Sequence, residues 1–211
     1  MSVMEKLSQI GCIPVIKLDN PEADAAPLAK ALSEGGLPAA EVTFRAAGAA
    51  KAMKLMKEAC PNMVVGAGTV LTTAQVDEAI AAGAEFIVSP GLNPTTVKYC
   101  QSKNIPILPG CVTPTEIEAA LELGLTTLKF FPAAQYGGLN TINALCAPYT
   151  MIKFMPTGGI TLANLKETLS NKNIVACGGT FMVTADLINA KNWAEITAIS
   201  KQASDVVAEC R

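Results

Sequence analysis

The hydrophobic pattern of the chain alternates between two kinds of segment along its whole length. Short apolar runs rich in β-branched residues are separated by longer segments rich in Ala, Leu, Lys and Glu. Runs of this length, bounded by turn residues, are typical of strands that are buried on both faces. The pattern predicts eight such strands, at residues 13–18, 40–45, 64–70, 86–90, 105–110, 127–132, 152–157 and 174–179.

The longer segments carry the spacing and the end signals of amphipathic helices. Leu28, Ala31 and Leu32 recur at helical spacing in the segment that follows the first strand. Thr113 and Glu116 form a capping box around a proline at the first helical position, which indicates a helix start. Each apolar run is therefore expected to alternate with a helix.

Eight strand–helix units in succession predict a parallel sheet, and eight is the number that closes a (β/α)8 TIM barrel. We expect one such domain over residues 1–211, preceded by a short N-terminal helix. The alternative is an open doubly wound sheet, which calls for a G-x-G-x-x-G turn after its first strand. Here the first strand is followed by Asp19, Asn20 and Pro21, and the GAGT segment at 66–69 lacks the third glycine because position 71 is Leu.

Composition adds one strong exclusion, because the chain of 211 residues contains no histidine. This rules out Ser-His-Asp triads, Cys-His dyads and His-ligated metal sites, so we expect no metal. It also removes the side chain most often used for proton transfer near neutral pH. With 16 Lys and Arg against 18 Asp and Glu, and no basic block, the charge pattern argues against a nucleic-acid partner.

The cysteines and the N-terminal sequence indicate a cytoplasmic protein. There are seven cysteines, an odd number without C-x-x-C spacing, and Cys12, Cys111 and Cys177 lie beside or within apolar runs. This use of cysteine is typical of core thiols in a reducing compartment. The N-terminus has no leader pattern, so export is not expected. The longest charge-free stretch, 130–152, is broken by Pro and Gly, so no membrane association is expected.

Lys129 is the first candidate for chemistry, because it lies within an apolar strand. In a barrel of this kind the reacting groups sit at the carboxyl ends of the strands. If Lys129 faces the interior, burial disfavours its charged form and frees an amine that can attack a carbonyl. The alternative is a lysine that starts an exposed strand or pairs with Glu41. Lys17 and Lys153 are rival amines, but Lys153 begins its strand and Lys17 is placed at an exposed strand end.

Glu41 is the matching acid–base candidate, since a carboxylate inside a buried strand is costly unless it is paired. Alternation places Glu41, Thr43 and Arg45 on one face of the second strand. Arg45 offers a bidentate grip on a substrate carboxylate, and the alternative is that it pairs with Glu41.

Two Gly-Gly pairs follow the seventh and eighth strands, where this fold often binds phosphate through backbone N–H groups. They are Gly158-Gly159, and Gly178-Gly179 followed by Thr180. Either pair alone is equally compatible with a plain tight turn; together they favour a phosphate site.

Five motifs in order resemble those of the 2-keto-3-deoxy-6-phosphogluconate (KDPG) aldolase family. They are EVTFR at 41–45, VGAGTV at 65–70, SPG at 89–91, LKFFPA at 128–133 and PTGGI at 156–160. The resemblance implies a class I aldolase on a (β/α)8 barrel, usually a homotrimer, that cleaves KDPG to pyruvate and glyceraldehyde 3-phosphate. Some members also cleave 4-hydroxy-2-oxoglutarate to pyruvate and glyoxylate. No cofactor is implied beyond a covalent imine between lysine and substrate.

The resemblance also assigns roles to residues that match the motifs. Lys129 matches the Schiff-base lysine and Glu41 the acid–base glutamate. The residues that match the carboxylate and pocket positions are Arg45, Thr69, Pro90, Phe131 and Thr157. The residues that match the phosphate end are Gly158, Gly159, Gly179 and Thr180, where the family often has Ser in place of Thr180. Lys17 has no firm counterpart.

Several alternatives remain open at this point. Thr157 resembles the members that act on KDPG, whereas relatives acting on the galactonate epimer tend to have an apolar residue there. Activity on 4-hydroxy-2-oxoglutarate alone is disfavoured by the phosphate-like turns. A non-enzymatic barrel that binds a phosphosugar would keep those turns but would not need both Lys129 and Glu41. A divalent-metal pyruvate aldolase would need His and carboxylate ligands that this chain lacks.

Overall fold

Eight parallel strands alternate with helices in the structure, a computed structural model that describes all residues, 1–211. The strands are β1 (Cys12–Ile16), β2 (Ala39–Thr43), β3 (Val64–Gly68), β4 (Ile87–Ser89), β5 (Ile107–Pro109), β6 (Thr127–Phe130), β7 (Lys153–Pro156) and β8 (Cys177–Gly179). The helices are α1 (Val3–Ile10), α2 (Pro21–Glu34), α3 (Ala49–Ala59), α4 (Thr73–Ala81), α5 (Pro94–Ser102), α6 (Pro114–Glu122), α7 (Gly138–Cys146), α8 (Leu162–Leu169), α9 (Ala185–Asn189) and α10 (Trp193–Cys210).

All eight predicted strands and the N-terminal helix are present, so the predicted α/β class is confirmed. All eight strands are shorter than predicted. The second, for example, ends at Thr43 rather than at residue 45, because the chain turns there and leaves the ladder. The predicted capping box of α6 is also confirmed, since Thr113 Oγ1 accepts from the Glu116 backbone N–H while Glu116 accepts from the Thr113 N–H.

The strands pair in two groups. Continuous ladders form a six-stranded sheet in the order β5-β4-β3-β2-β1-β8, and β6 pairs with β7. Isolated parallel bridges span the two gaps. Gly110 pairs with Lys129 on one side, and Phe154 with Ile174 and Thr157 with Gly178 on the other. In the ladders Glu41 lies opposite Val15 on β1 and Gly66 on β3.

The interior between the strands divides into an apolar lower part and a polar upper part. Near the amino ends of the strands, a small cluster of buried apolar side chains fills the space: Leu7, Ile13, Ala39, Val64, Phe86, Val88, Leu108, Met155 and Ala176. Helix α1 supplies Leu7, which is 1% exposed, so this helix closes the lower end. A much larger apolar cluster packs the strands against the surrounding helices.

The seven cysteines are all free, and five of them are buried. Cys12, Cys111 and Cys177 lie in the large apolar cluster, as the sequence predicts. Burial raises the pKa of the Cys12 thiol and of the Cys111 thiol to about 12 each. Thiols held in the neutral form are poor nucleophiles, which supports a packing role for these residues. None of the helices combines the length and the apolar character that crossing a lipid bilayer requires.

The closure of the lower end by α1 generates a stability prediction. Replacing Leu7 by Ala removes a fully buried side chain from the small interior cluster and leaves a cavity that the strands cannot easily fill. The free energy of unfolding, measured by urea titration, is expected to fall by about 2–5 kcal/mol. Met151→Ala removes a side chain that is 53% exposed and should change the same quantity by less than about 0.5 kcal/mol. Equal effects of the two variants would contradict the closing role of α1.

Candidate active site

Lys129 of β6 and Glu41 of β2 meet in the space between the two groups of strands, although they lie 88 positions apart in the sequence. Lys129 Nζ donates to Glu41 Oε1 at 3.2 Å. Glu41 is 0% exposed and Lys129 is 5% exposed, so both side chains are shielded from solvent. The ammonium also lies 5.1 Å from the centre of the Phe131 ring, which favours a cation over its face. The open question of whether Arg45 pairs with Glu41 is settled by this geometry, because the partner is Lys129.

The space for the Glu41 carboxyl group is provided by Gly68 at the end of β3. A Cβ atom built at Gly68 would overlap with Glu41 Oε1 and lie 2.6 Å from its Cγ. The other oxygen, Oε2, is buried and has no hydrogen-bond partner. Unpartnered buried acceptors are rare in folded proteins, because each loses its hydration without compensation. Glu41 therefore presents one free acceptor next to the lysine.

These two residues lie in a cavity of about 260 Å³ at the carboxyl ends of the strands. The cavity wall contains every candidate site residue except Gly179: Glu41, Arg45, Thr69, Pro90, Lys129, Phe131, Thr157, Gly158, Gly159 and Thr180. Four further lining residues were not predicted as site residues, namely Val15, Thr43, Ile160 and Gly178. Two of these had a sequence signal, because alternation places Thr43 on the same face as Glu41 and Gly178 belongs to the second Gly-Gly pair.

Gly178 and Thr180 line the cavity, whereas Gly179 between them does not. Successive residues of a strand face opposite sides, and a Cβ atom at Gly179 would point toward Phe181 and Met182 instead. The structure therefore places the wall of the cavity one residue earlier than expected, at Gly178, where the absence of a side chain leaves room for Thr157 Oγ1. That hydroxyl is buried and has no partner.

The turn at Gly158-Gly159 has a backbone that favours glycine at both positions. Their φ angles are 95° and 80°, in the left-handed region where a side chain would be strained. Both glycines line the same cavity, at the end where Thr180 also contributes its hydroxyl-bearing side chain. The arrangement leaves exposed main chain facing the cavity, as an anion-binding turn requires.

Arg45 and Thr69 lie at the mouth of the cavity on neighbouring strand ends. Arg45 follows β2, and its Nε donates to Thr43 Oγ1 at 3.2 Å. Thr69 follows β3 with a φ of 56°, an unusual value for a β-branched residue. Main-chain hydrogen bonds on either side of Thr69 hold this φ angle. Gly68 O accepts from Phe44 N at 2.8 Å, and Val70 N donates to Val88 O at 3.2 Å.

The rival lysines lie elsewhere. Lys17 is exposed and forms an ion pair with Asp19 at 2.7 Å. Lys153 begins β7 at the opposite end of the strands and donates to Lys172 O at 2.8 Å. Lys129 is therefore the one lysine in the cavity wall.

No group of three or more Cys, Asp or Glu side chains is arranged to hold a metal ion. The cavity thus combines an amine, a carboxylate, a guanidinium and the main chain of a glycine turn, which suits chemistry at the carbonyl of a small anionic molecule.

The tight fit between Gly68 and Glu41 can be tested by adding one methyl group. Gly68→Ala forces the carboxyl group away from Lys129 Nζ, so the free energy of unfolding should fall by about 1–3 kcal/mol. Gly91→Ala is the matched control, because a Cβ atom there meets nothing within 4 Å. Urea titration of both variants measures the difference. A Gly68→Ala variant as stable as Gly91→Ala would contradict the proposed contact.

Comparison with known proteins identifies the family. Residues 3–199 match the family described as KDPG and KHG aldolase. The 2-dehydro-3-deoxy-phosphogluconate aldolase of Treponema pallidum is 46% identical over 207 residues, which is 98% of this chain and 98% of that protein.

Solved structures agree with this match. The 2-keto-3-deoxy-6-phosphogluconate aldolase of Zymomonas mobilis, solved with 3-phosphoglycerate, is 39% identical with a TM-score of 0.89, over 96% of this chain and 95% of that one. The KDPG aldolase of Legionella pneumophila, solved with pyruvate captured as a covalent carbinolamine, is 36% identical with a TM-score of 0.91, over 96% and 98% of the two chains. The resemblance predicted from the five motifs is confirmed, and the chain belongs to the KDPG and KHG aldolase family.

Proposed function

We propose that the protein is a class I aldolase that cleaves KDPG to pyruvate and glyceraldehyde 3-phosphate, with Lys129 as the amine that binds the substrate covalently. The observation that carries the proposal is the buried pair in which Lys129 Nζ lies 3.2 Å from Glu41 Oε1. A purely binding barrel would have no use for an amine and a carboxylate held together out of solvent. The covalent carbinolamine in the relative from Legionella pneumophila supports the same chemistry.

The reaction begins with attack of the Lys129 amine on the C2 carbonyl of the substrate. Glu41 takes the proton that the ammonium must lose before it can attack. After the attack, a second proton passes from the nitrogen to the carbonyl oxygen, which gives the neutral carbinolamine. The proton held by Glu41 then protonates the hydroxyl of the carbinolamine, which leaves as water and yields the protonated imine. Proton transfer by a positioned carboxyl group is typically worth about 10²–10⁴ in rate.

Cleavage uses the imine as an electron sink. Glu41 accepts the proton of the C4 hydroxyl, the C3–C4 bond breaks, and its electrons pass into the imine to form an enamine. The aldehyde product leaves, and Glu41 returns the proton taken from the C4 hydroxyl to C3. Water then hydrolyses the protonated imine to release pyruvate and restore the Lys129 ammonium. One water is released and one is consumed, so the cycle closes without an added cofactor and without imidazole.

The other lining residues supply positioning. We assign the substrate carboxylate to Arg45 and Thr69 at the mouth of the cavity, and the wall beside the reacting carbon to Pro90 and Phe131. The unpartnered Thr157 hydroxyl is available to a substrate hydroxyl, which favours KDPG over its galactonate epimer. The phosphate is assigned to the turn at Gly158-Gly159 together with Thr180, with Gly179 contributing at most its main chain.

The architecture and assembly are also proposals. We infer that the eight strands close into a single barrel over residues 1–211, and the isolated bridges at Gly110–Lys129 and Thr157–Gly178 support closure.

A homotrimer is proposed from the family, with the exposed side chains of Leu71 and Tyr136 as apolar surface available for contact. Light scattering that gives the mass of one chain would contradict the trimer. Seven free cysteines support a reducing, cytoplasmic location.

Trapping of the imine tests the proposed function directly. Incubation with pyruvate followed by borohydride should attach one pyruvyl group to Lys129, located by mass spectrometry of peptides. Lys129→Met should abolish both the adduct and KDPG cleavage, because no other lysine lies in the cavity. Lys153→Met removes an amine at the far end of the strands and should leave both intact. The absence of an adduct, or an adduct confined to Lys17 or Lys153, would overturn the proposal.

Turnover of three substrates tests the role of the phosphate end. KDPG is expected to have a higher kcat/KM than 4-hydroxy-2-oxoglutarate, which has no phosphate to contact the Gly158-Gly159 turn. The galactonate epimer should also be poorer, because its altered C4 hydroxyl meets Thr157 differently. Steady-state kinetics on the three compounds gives the order. Equal kcat/KM for the phosphorylated and unphosphorylated substrates would contradict the phosphate assignment.

A further inference from the structure

Thr43 makes two hydrogen bonds at the edge of the cavity, and the proposed mechanism uses neither of them. Its side chain is 1% exposed at the last position of β2. Oγ1 donates to the main-chain oxygen of Ile16 on β1 at 2.8 Å. The same oxygen accepts from Arg45 Nε at 3.2 Å. A single hydroxyl therefore joins the end of β1 to the guanidinium at the mouth of the cavity.

The direction of these bonds limits what Thr43 can do. A threonine hydroxyl has one hydrogen, and here that hydrogen is directed to Ile16 O. Toward the cavity Oγ1 can only accept, so it cannot donate to a substrate carboxylate. In this respect it differs from Thr157, whose buried hydroxyl has no partner and is free to contact a ligand. Thr43 lines the cavity, but it can act on a substrate carboxylate only through another group, and that group is Arg45.

Arg45 needs such a partner because nothing else holds its head group. It lies in the turn beyond the end of β2, is exposed, and forms no ion pair with Asp or Glu. The bond to Thr43 is the one hydrogen bond of its guanidinium. A free arginine side chain samples many rotamers, and ordering it on binding reduces affinity. The hydrogen bond at Nε fixes the orientation of the Arg45 guanidinium before a ligand binds. It leaves Nη1 and Nη2 free to bind that ligand.

We propose that Thr43 is a positioning residue that holds Arg45 Nε, so that the substrate carboxylate is bound end-on by the Nη1 and Nη2 atoms of Arg45. The inference rests on the proposed function, in which Arg45 binds that carboxylate. A guanidinium has two edges that can pair with a carboxylate, one of which includes Nε. With Nε already donating to Thr43, the end-on edge is the one that faces an incoming anion.

The test compares Thr43→Val, which keeps the shape and removes the hydroxyl, with Thr43→Ser, which keeps the hydroxyl. Thr43→Val should raise KM for KDPG about tenfold, as expected for loss of a hydrogen bond to a charged group. The pyruvate concentration that gives half-maximal trapping of Lys129 should rise by the same factor. The kcat should change less than about threefold, because the reacting atoms are untouched. Thr43→Ser should recover most of the loss.

Two controls separate positioning from a general structural role. Borohydride trapping of acetone, a ketone without a carboxylate, should be equally fast in the wild type and in Thr43→Val. In an Arg45→Met background, Thr43→Val should add less than about twofold, because the two residues act as one unit. A Thr43→Val variant with unchanged KM, with slower acetone trapping, or with its full effect in the Arg45→Met background would overturn the proposal.

The design also separates this inference from the proposed function. If the wild type forms no pyruvyl adduct at Lys129, the aldolase proposal fails, and the Thr43 proposal fails with it. If the wild type forms the adduct and only the Thr43 variants behave differently from expectation, the positioning role alone is rejected. Thr43→Ala replaces Thr43→Val in every comparison if the valine variant does not fold, since it also lacks the hydroxyl.

Discussion

The buried pair between Lys129 and Glu41 is the constraint on which the rest of the structure depends. Removing an ammonium and a carboxylate from water is costly, and their mutual attraction offsets that cost only with good geometry. Here the two groups arrive from strands on different sides of the interior and meet at 3.2 Å. This contact requires a particular strand register, small residues beside Lys129 and Glu41, and a cavity of matching shape.

The cost of the pair explains why the interior is divided. The upper part carries charge and unpartnered acceptors, notably Glu41 Oε2 and Thr157 Oγ1, and contributes little apolar burial. Stability must therefore come from the lower interior, which Leu7 of α1 closes, and from the large apolar layer between strands and helices. The glycines at positions 68 and 178 also contribute no side-chain packing. Glu41 and Thr157 occupy the space that side chains at those positions would fill.

Much of this could be predicted from the sequence, and the exceptions share one physical cause. The eight strands, the capping box of α6, the core cysteines and the gathering of Lys129, Glu41 and Arg45 follow from local pattern and from the rule that sites lie at strand ends. The role of Gly68, the lining by Val15 and the shift from Gly179 to Gly178 depend on the register between different strands. No local pattern reports that register, because a shift of one residue exchanges the two faces of a strand.

The backbone of Thr69 has a consequence for how this protein can be changed. A β-branched residue held at a φ of 56° stores strain of about 1–3 kcal/mol. Glycine at that position would relieve the strain but would remove the side chain that lines the cavity. Selection for heat resistance would therefore favour glycine at position 69, whereas selection for turnover would favour threonine. A directed-evolution experiment that selects for thermal stability alone would favour a more stable protein with an impaired pocket, so its screen should include catalysis from the first round.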